Sequence, residues 1–101
     1  MRIKSGERLR SAVCDTQVIV VKAPAHVVDV RCGGAEMVPL DTIPERGELD
    51  ATLASGSLLG KRYANPELGL EVLVTHAGVG TLSVANEPLS IQEAKKLPSS
   101  D

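Results

Sequence analysis

The chain alternates short apolar runs with breaks rich in glycine and proline. Gln17 to Lys22 reads Gln-Val-Ile-Val-Val-Lys, a β-branched run of strand length with polar ends. Pro24 stops it, and His26 to Arg31 has the alternation of a returning antiparallel strand. Cys32-Gly33-Gly34-Ala35 predicts a tight turn, because paired glycines reach positive φ without steric cost. Glu36 to Leu40 predicts a third short strand, ended near Pro39.

Residues 41–58 carry Asp41, Thr42, Pro44, Gly47, Ser55, Gly56 and Ser57. They predict a connecting loop with a helical turn near Glu48 to Leu53. Three further strands are expected over Gly60 to Tyr63, Leu70 to Thr75 and Thr81 to Val84, with Ala77-Gly78-Val79-Gly80 as a hairpin turn between the last two. Ser90-Ile91-Gln92-Glu93 has the spacing of a helix capping box before Ala94-Lys95-Lys96, which predicts at most two turns of helix. Pro98 to Asp101 reads as a tail.

The two halves match each other. A shift of 54 residues places Gly6-Glu7-Arg8-Leu9 on Gly60-Lys61-Arg62-Tyr63, and Val18-Ile19-Val20-Val21 on Val72-Leu73-Val74-Thr75. It also places Cys14 on Leu68. With a connection shorter by two residues, Val30 meets Leu82, Cys32 meets Val84, Gly34 meets Asn86 and Met37 meets Leu89. Glycine and asparagine are the residues that best tolerate left-handed backbone. A different gap would instead align Pro39-Leu40 with Pro88-Leu89. The expected fold class is therefore all-β: two tandem small antiparallel units, residues 1–40 and 60–101, joined by a linker over 41–59 within one compact domain, with a short C-terminal helical turn.

Composition narrows the function classes. Among 101 residues Tyr63 is the sole aromatic, so the core must come from aliphatic side chains and methionine, which bury less area per residue than aromatics. A chain this small has little stability to spare, and dimerisation is a reasonable expectation. The formal net charge is -2, with no basic stripe and no stacking platform, which argues against nucleic acid as a partner. The apolar runs are too short to cross a bilayer as helices, and Met1-Arg2-Ile3-Lys4 does not open a signal-peptide apolar segment. A cytoplasmic location away from membranes is expected.

The segment from Cys14 to Met37 resembles the small rubredoxin-type iron modules, specifically desulforedoxin and the N-terminal domain of desulfoferrodoxin. In that family a Cys-x-x-Cys knuckle leads into a Val-rich strand, a Gly-rich hairpin and a closing Cys-Cys-Gly-x-x-Met. Here Cys14 precedes Val18-Ile19-Val20-Val21, and Cys32-Gly33-Gly34-Ala35-Glu36-Met37 ends the unit. The second half is similar through Gly78-Val79-Gly80-Thr81-Leu82 and Asn86-Glu87-Pro88-Leu89. The resemblance implies the fold. It does not carry the metal chemistry over, because Ser11 stands at the first knuckle cysteine, Gly33 at the second adjacent cysteine, and Leu68 and Val84 at ligand positions of the second half.

Cys14 and Cys32 are the candidate site residues. A tetrahedral zinc or iron site needs four ligands, reached here by adding His26 and a carboxylate, or by pairing the two cysteines across a two-fold dimer. The alternatives are two buried thiols, which behave as small apolar side chains, or a disulfide. A cysteine-nucleophile enzyme would need a neighbouring histidine, and His26 and His76 read as surface residues. No phosphate-loop pattern is present. The leading expectation is a non-catalytic interaction or accessory subunit without a cofactor. It would bind itself as a homodimer, or a larger protein, by strand addition at exposed edges. The alternative is a small zinc- or iron-binding or redox module using Cys14 and Cys32.

Overall fold

The computed structural model describes residues 3–24, 28–44, 47–84 and 87–92. The first half forms β1 (Arg8–Arg10), β2 (Gln17–Lys22), β3 (Val30–Cys32), β4 (Ala35–Glu36) and β5 (Val38–Pro39). After a single 3-10 turn at Ala51–Leu53, the second half forms β6 (Arg62–Asn65), β7 (Leu70–His76), β8 (Leu82–Val84), β9 (Glu87–Pro88) and β10 (Ser90–Gln92). Among the described residues no helix is long and apolar enough to cross a membrane.

These strands build two antiparallel sheets in the orders β10-β6-β7-β2-β1-β5 and β4-β3-β8-β9. Read from the centre outward, each order repeats itself: β2, β1, β5 on one side mirror β7, β6, β10 on the other, and β3, β4 mirror β8, β9. The halves are thus related by a pseudo-two-fold axis, and they meet through β2–β7 and β3–β8.

Register fixes the axis. Ile19 pairs with Leu73, and Val18 and Val20 pair with Val74 and Val72, so the residues 54 positions apart are the ones that exchange places across the ladder. In the second sheet Arg31 pairs with Ser83, flanked by Val30↔Val84 and Cys32↔Leu82, which is the offset of 52. Hydrogen bonds outside the strands repeat as well. Gly6 and Gly60 donate to the carbonyls of Val20 and Val74 at 2.7 and 2.9 Å. Met37 and Leu89 donate to Val30 and Leu82 at 2.8 and 2.9 Å. The last pair aligns Met37 with Leu89, rather than Leu40 with Leu89. Asn86 lies outside the described residues.

The period-two pattern explains which faces are buried. Val18, Val20, Val72 and Val74 are each at most 1% exposed, and Leu9, Met37, Leu70 and Leu82 join them. Each such side chain contributes roughly 1.5–3 kcal/mol by leaving water. Tyr63, the counterpart of Leu9, is also buried and accepts a hydrogen bond from the Leu58 N–H through its hydroxyl at 3.0 Å.

Three expectations need correction. First, β2 and β3 are not a hairpin, and neither are β7 and β8: each pair is split between the two sheets. Pro24 and the glycines of 78–80 do break the strands, but residues 77–81 cross from sheet to sheet, and Gly78 pairs with Ser57 of the linker instead of closing a turn. Second, Ser90–Gln92 is a strand on the edge of β6, with Ile91 opposite Tyr63. The capping-box spacing is a local preference, and long-range pairing to an otherwise open strand edge outweighs it. Residues Glu93 to Lys96, where the helical turn was expected, lie outside the described residues. Third, Glu36 to Leu40 is not one strand but two, β4 and β5, which belong to different sheets.

Candidate functional site

The knuckle between β1 and β2 is closed by the Ser11 N–H donating to the Thr16 carbonyl at 2.9 Å. Ser11 Oγ accepts the N–H groups of Val13 (3.1 Å) and Cys14 (3.2 Å). The second half does the same with another residue: Asn65 Oδ1 accepts the Leu68 N–H at 3.3 Å. Ser11 and Asn65, 54 positions apart, are therefore turn-holding groups. This knuckle presents the half-buried Cys14 to the end of β3, where Cys32 is fully buried. The sulfurs lie 3.6 Å apart.

Two hydroxyls complete the inner surroundings. Cys14 Sγ lies 3.3 Å from Ser11 Oγ and 3.2 Å from Thr16 Oγ1. Thr16 Oγ1 is in turn 2.7 Å from Ser57 Oγ of the linker, and both residues are buried. The crossing segment 77–81 lies over the pair so closely that its glycines are required. A Cβ on Gly78 would collide with Thr16 Oγ1 and sit 3.1 Å from Cys14 Sγ. One on Gly80 would sit 2.7 Å from Cys32 Sγ. Linker and second half thus form the roof of a site whose thiols both belong to the first half.

The two thiols ionise in opposite senses. Burial works against the Cys14 thiolate. Hydrogen bonds from the hydroxyls of Ser11 and Thr16, and from the backbone at Thr16 and Gly80, outweigh it and lower the group from 9.0 to about 7. For Cys32 burial dominates; the adjacent Cys14 adds to it, against hydrogen bonds from Thr16 and Ser11, and the group is pushed up to about 12. Around pH 7 Cys14 is therefore the thiol that ionises, while Cys32 stays protonated beside it.

Two clefts reach Cys14 from outside. One of about 280 Å³ is bounded by Arg10, Asp15, Ile43 and Pro44, and one of about 150 Å³ by Arg10, Thr16, Gln17 and His76. His76 is exposed, as expected, while His26 lies outside the described residues.

The donor set does not fit a four-thiolate centre. Two sulfurs are present, and the oxygens within reach are neutral hydroxyls, which are not ligands of the kind such ions select. At Gly33, φ is +65° and the place of a Cβ is taken by Leu49 Cδ1 and Val13 Cγ2, so no ligand side chain can emerge there. Among the described residues no three histidine, cysteine, aspartate or glutamate side chains gather into a cluster. In the second half Val84 is buried and Leu68 packs against the core.

Sequence reasoning brought out Cys14 and Cys32, and the structure brings them together. It missed Thr16, Ser57 and Arg10. Thr16 and Ser57 meet across 41 positions of chain, and no local pattern announces such a contact. No protein-family model, no curated protein and no solved structure matches this chain.

Proposed function

We propose that this protein is a small dithiol–disulfide redox module in which Cys14 is the attacking thiolate and Cys32 the resolving thiol. The observation that carries this reading is the 3.6 Å separation of two sulfurs with opposite ionisation. The thiolate is the reactive form of cysteine, and Cys14 is the one with access to the clefts. Attack by Cys14 on a disulfide R–S–S–R forms a Cys14–S–R bond and expels one RS⁻. Cys32 then gives its proton to the departing thiolate and attacks Cys14 Sγ, which expels the second RS⁻. Starting from the Cys14 thiolate and the Cys32 thiol, the protein loses two electrons and one proton, and the disulfide becomes one thiol and one thiolate, which takes its proton from solvent.

The test is titration of the reduced protein in glutathione buffers of graded potential, read by intact mass. A reversible transition with loss of two hydrogens, abolished by either Cys14→Ser or Cys32→Ser, supports the reading. Stable glutathione adducts with no internal disulfide at any potential would overturn it.

The accessory-subunit reading keeps one specific observation. β10 sits at a sheet edge with all its residues exposed, Ile91 among them at 42%. A strand added there would extend the larger sheet. Ile91→Lys should then abolish self-association or partner binding while the fold persists, and unchanged association would end that reading.

A further inference from the structure

Arg10 closes β1, pairing with Gln17 and Val38. Its repeat counterpart is Ala64, which pairs with Glu71 and Ser90 in the same manner and is buried. The architecture therefore has no need of an arginine at this position. Among the described residues Arg10 Nε is buried with no hydrogen-bond partner. Burying an unpaired donor of a charged group costs stability, so the arginine is not kept at this position for the sake of the fold. Both clefts that reach Cys14 are lined by Arg10.

We propose that the cleft beside Cys14 binds the carboxylate of a small disulfide, with Arg10 as the anion-recognising group. The proposal rests on the dithiol reading above and names its substrate class. Arginine suits the task because its planar fork of donors matches a carboxylate. The larger cleft, at about 280 Å³, has the size for a thiol acid or an amino-acid thiol. Ile43, 91% exposed, and Pro44 form an apolar wall for methylene groups. Asp15, exposed on the same rim, disfavours a second anionic group and accepts an ammonium, as a disulfide of the cystine type would present.

The experiment uses the full chain carrying Cys32→Ser, so that the mixed disulfide on Cys14 accumulates. Rates of adduct formation are measured by intact mass with 3,3′-dithiodipropionate, which bears carboxylates, and with 2-hydroxyethyl disulfide, which is neutral. Arg10→Ala is expected to slow the first about tenfold, the loss of one charge-assisted contact, and to change the second less than about twofold. Arg10→Lys should recover part of the difference. Because the second half already carries alanine at this place, Arg10→Ala is compatible with the fold, and Arg10→Gln gives a check of similar length. Equal slowing of both reagents, or none, would overturn the carboxylate site while leaving the dithiol reading standing. No adduct with either reagent on the unsubstituted Arg10 background would overturn both.

Discussion

Ile19 faces Leu73 across the central ladder, and the two occupy the same place in the two repeats. A pseudo-two-fold axis must pass between residues that pair with their own counterparts. The same holds for Arg31 and Ser83 in the other sheet. Each half alone would leave β2 and β3 with open edges, so the two halves complete each other in both layers.

The symmetry makes the second half an incomplete copy of the thiol site, which can be rebuilt. Leu68→Cys with Val84→Cys should place a second sulfur pair at the positions equivalent to Cys14 and Cys32. Trading Leu and Val for smaller side chains should cost about 2–3 kcal/mol. Titration with a thiol reagent should rise from two to four thiols in denaturant, and mild oxidation should give two disulfides within one chain. Cross-linking between chains, or no second disulfide, would show that the repeat does not extend to the knuckles.

Thr16 is the hinge of the site's polar contacts, since its hydroxyl touches both Cys14 Sγ and Ser57 Oγ. Thr16→Val preserves shape and removes both contacts. The Ser57 hydroxyl is left with only the 3.4 Å contact to the Gly78 carbonyl, and stability should fall by about 1–2 kcal/mol in urea denaturation. The alkylation midpoint of Cys14 should move upward, because one of the groups that favour its thiolate is gone. An unmoved midpoint would mean that Thr16 is structural only.

Much of the fold was legible because it is written twice. β2 follows from its β-branched run alone. β1, with one buried residue among three, shows too little periodicity to be seen directly, yet it lies where the repeat sets Arg8-Leu9 on Arg62-Tyr63. What stayed hidden was which strands pair. Turn residues at Pro24 and Gly78 mark where a strand ends, not which sheet the next one joins. The site was half legible for the same reason. Two cysteines are visible in a sequence, whereas Arg10 gains its meaning only from the cleft it lines, and Gly78 and Gly80 from the sulfurs they approach.

Metal removal should leave the protein intact. With two sulfurs and a blocked Gly33 position, coordination cannot supply the roughly 10 kcal/mol or more that holds a true zinc module together. Melting temperature should be the same before and after exhaustive chelation. Stoichiometric zinc or iron, lost with Cys14→Ser, would contradict this.

The pH dependence carries a definite sign. An unfolded thiol ionises at 9.0, whereas folded Cys14 does so at about 7, so between those values the unfolded state binds more protons and stability grows with pH. That contribution is lost as pH falls through 7. Cys32 acts oppositely: its folded value is about 12, so its contribution is full below 9 and is lost as pH rises from 9 toward 12. The thiol pair should therefore stabilise most near pH 9. The difference in urea midpoint between the protein and its Cys14→Ser variant checks this. In the same range iodoacetamide should modify Cys14 with a midpoint near 7 and spare Cys32 in the folded chain. A midpoint near 9 would leave Cys14 an ordinary thiol.

Oxidation should raise stability, and by an amount that loop closure sets. A Cys14–Cys32 bond joins residues 18 positions apart, and constraining the unfolded chain over such a loop is worth about 3 kcal/mol. Against this stands the movement needed to bring sulfurs from 3.6 Å to bonding distance, about 2.05 Å. Cys14 sits on a knuckle held by Ser11 and has open cleft on one side, so it is the partner that moves; Cys32 is fixed in the core beneath Gly80. For a chain of this size each kcal/mol shifts the melting temperature by about 4–8 °C. A net rise of roughly 10 °C is therefore expected for the oxidised protein, measured by calorimetry on the two redox forms side by side. An unchanged or lower melting temperature would mean that the knuckle resists the movement. The disulfide would then be strained and easily reduced, and the pair would serve as an electron acceptor in preference to the disulfide-reducing dithiol proposed above.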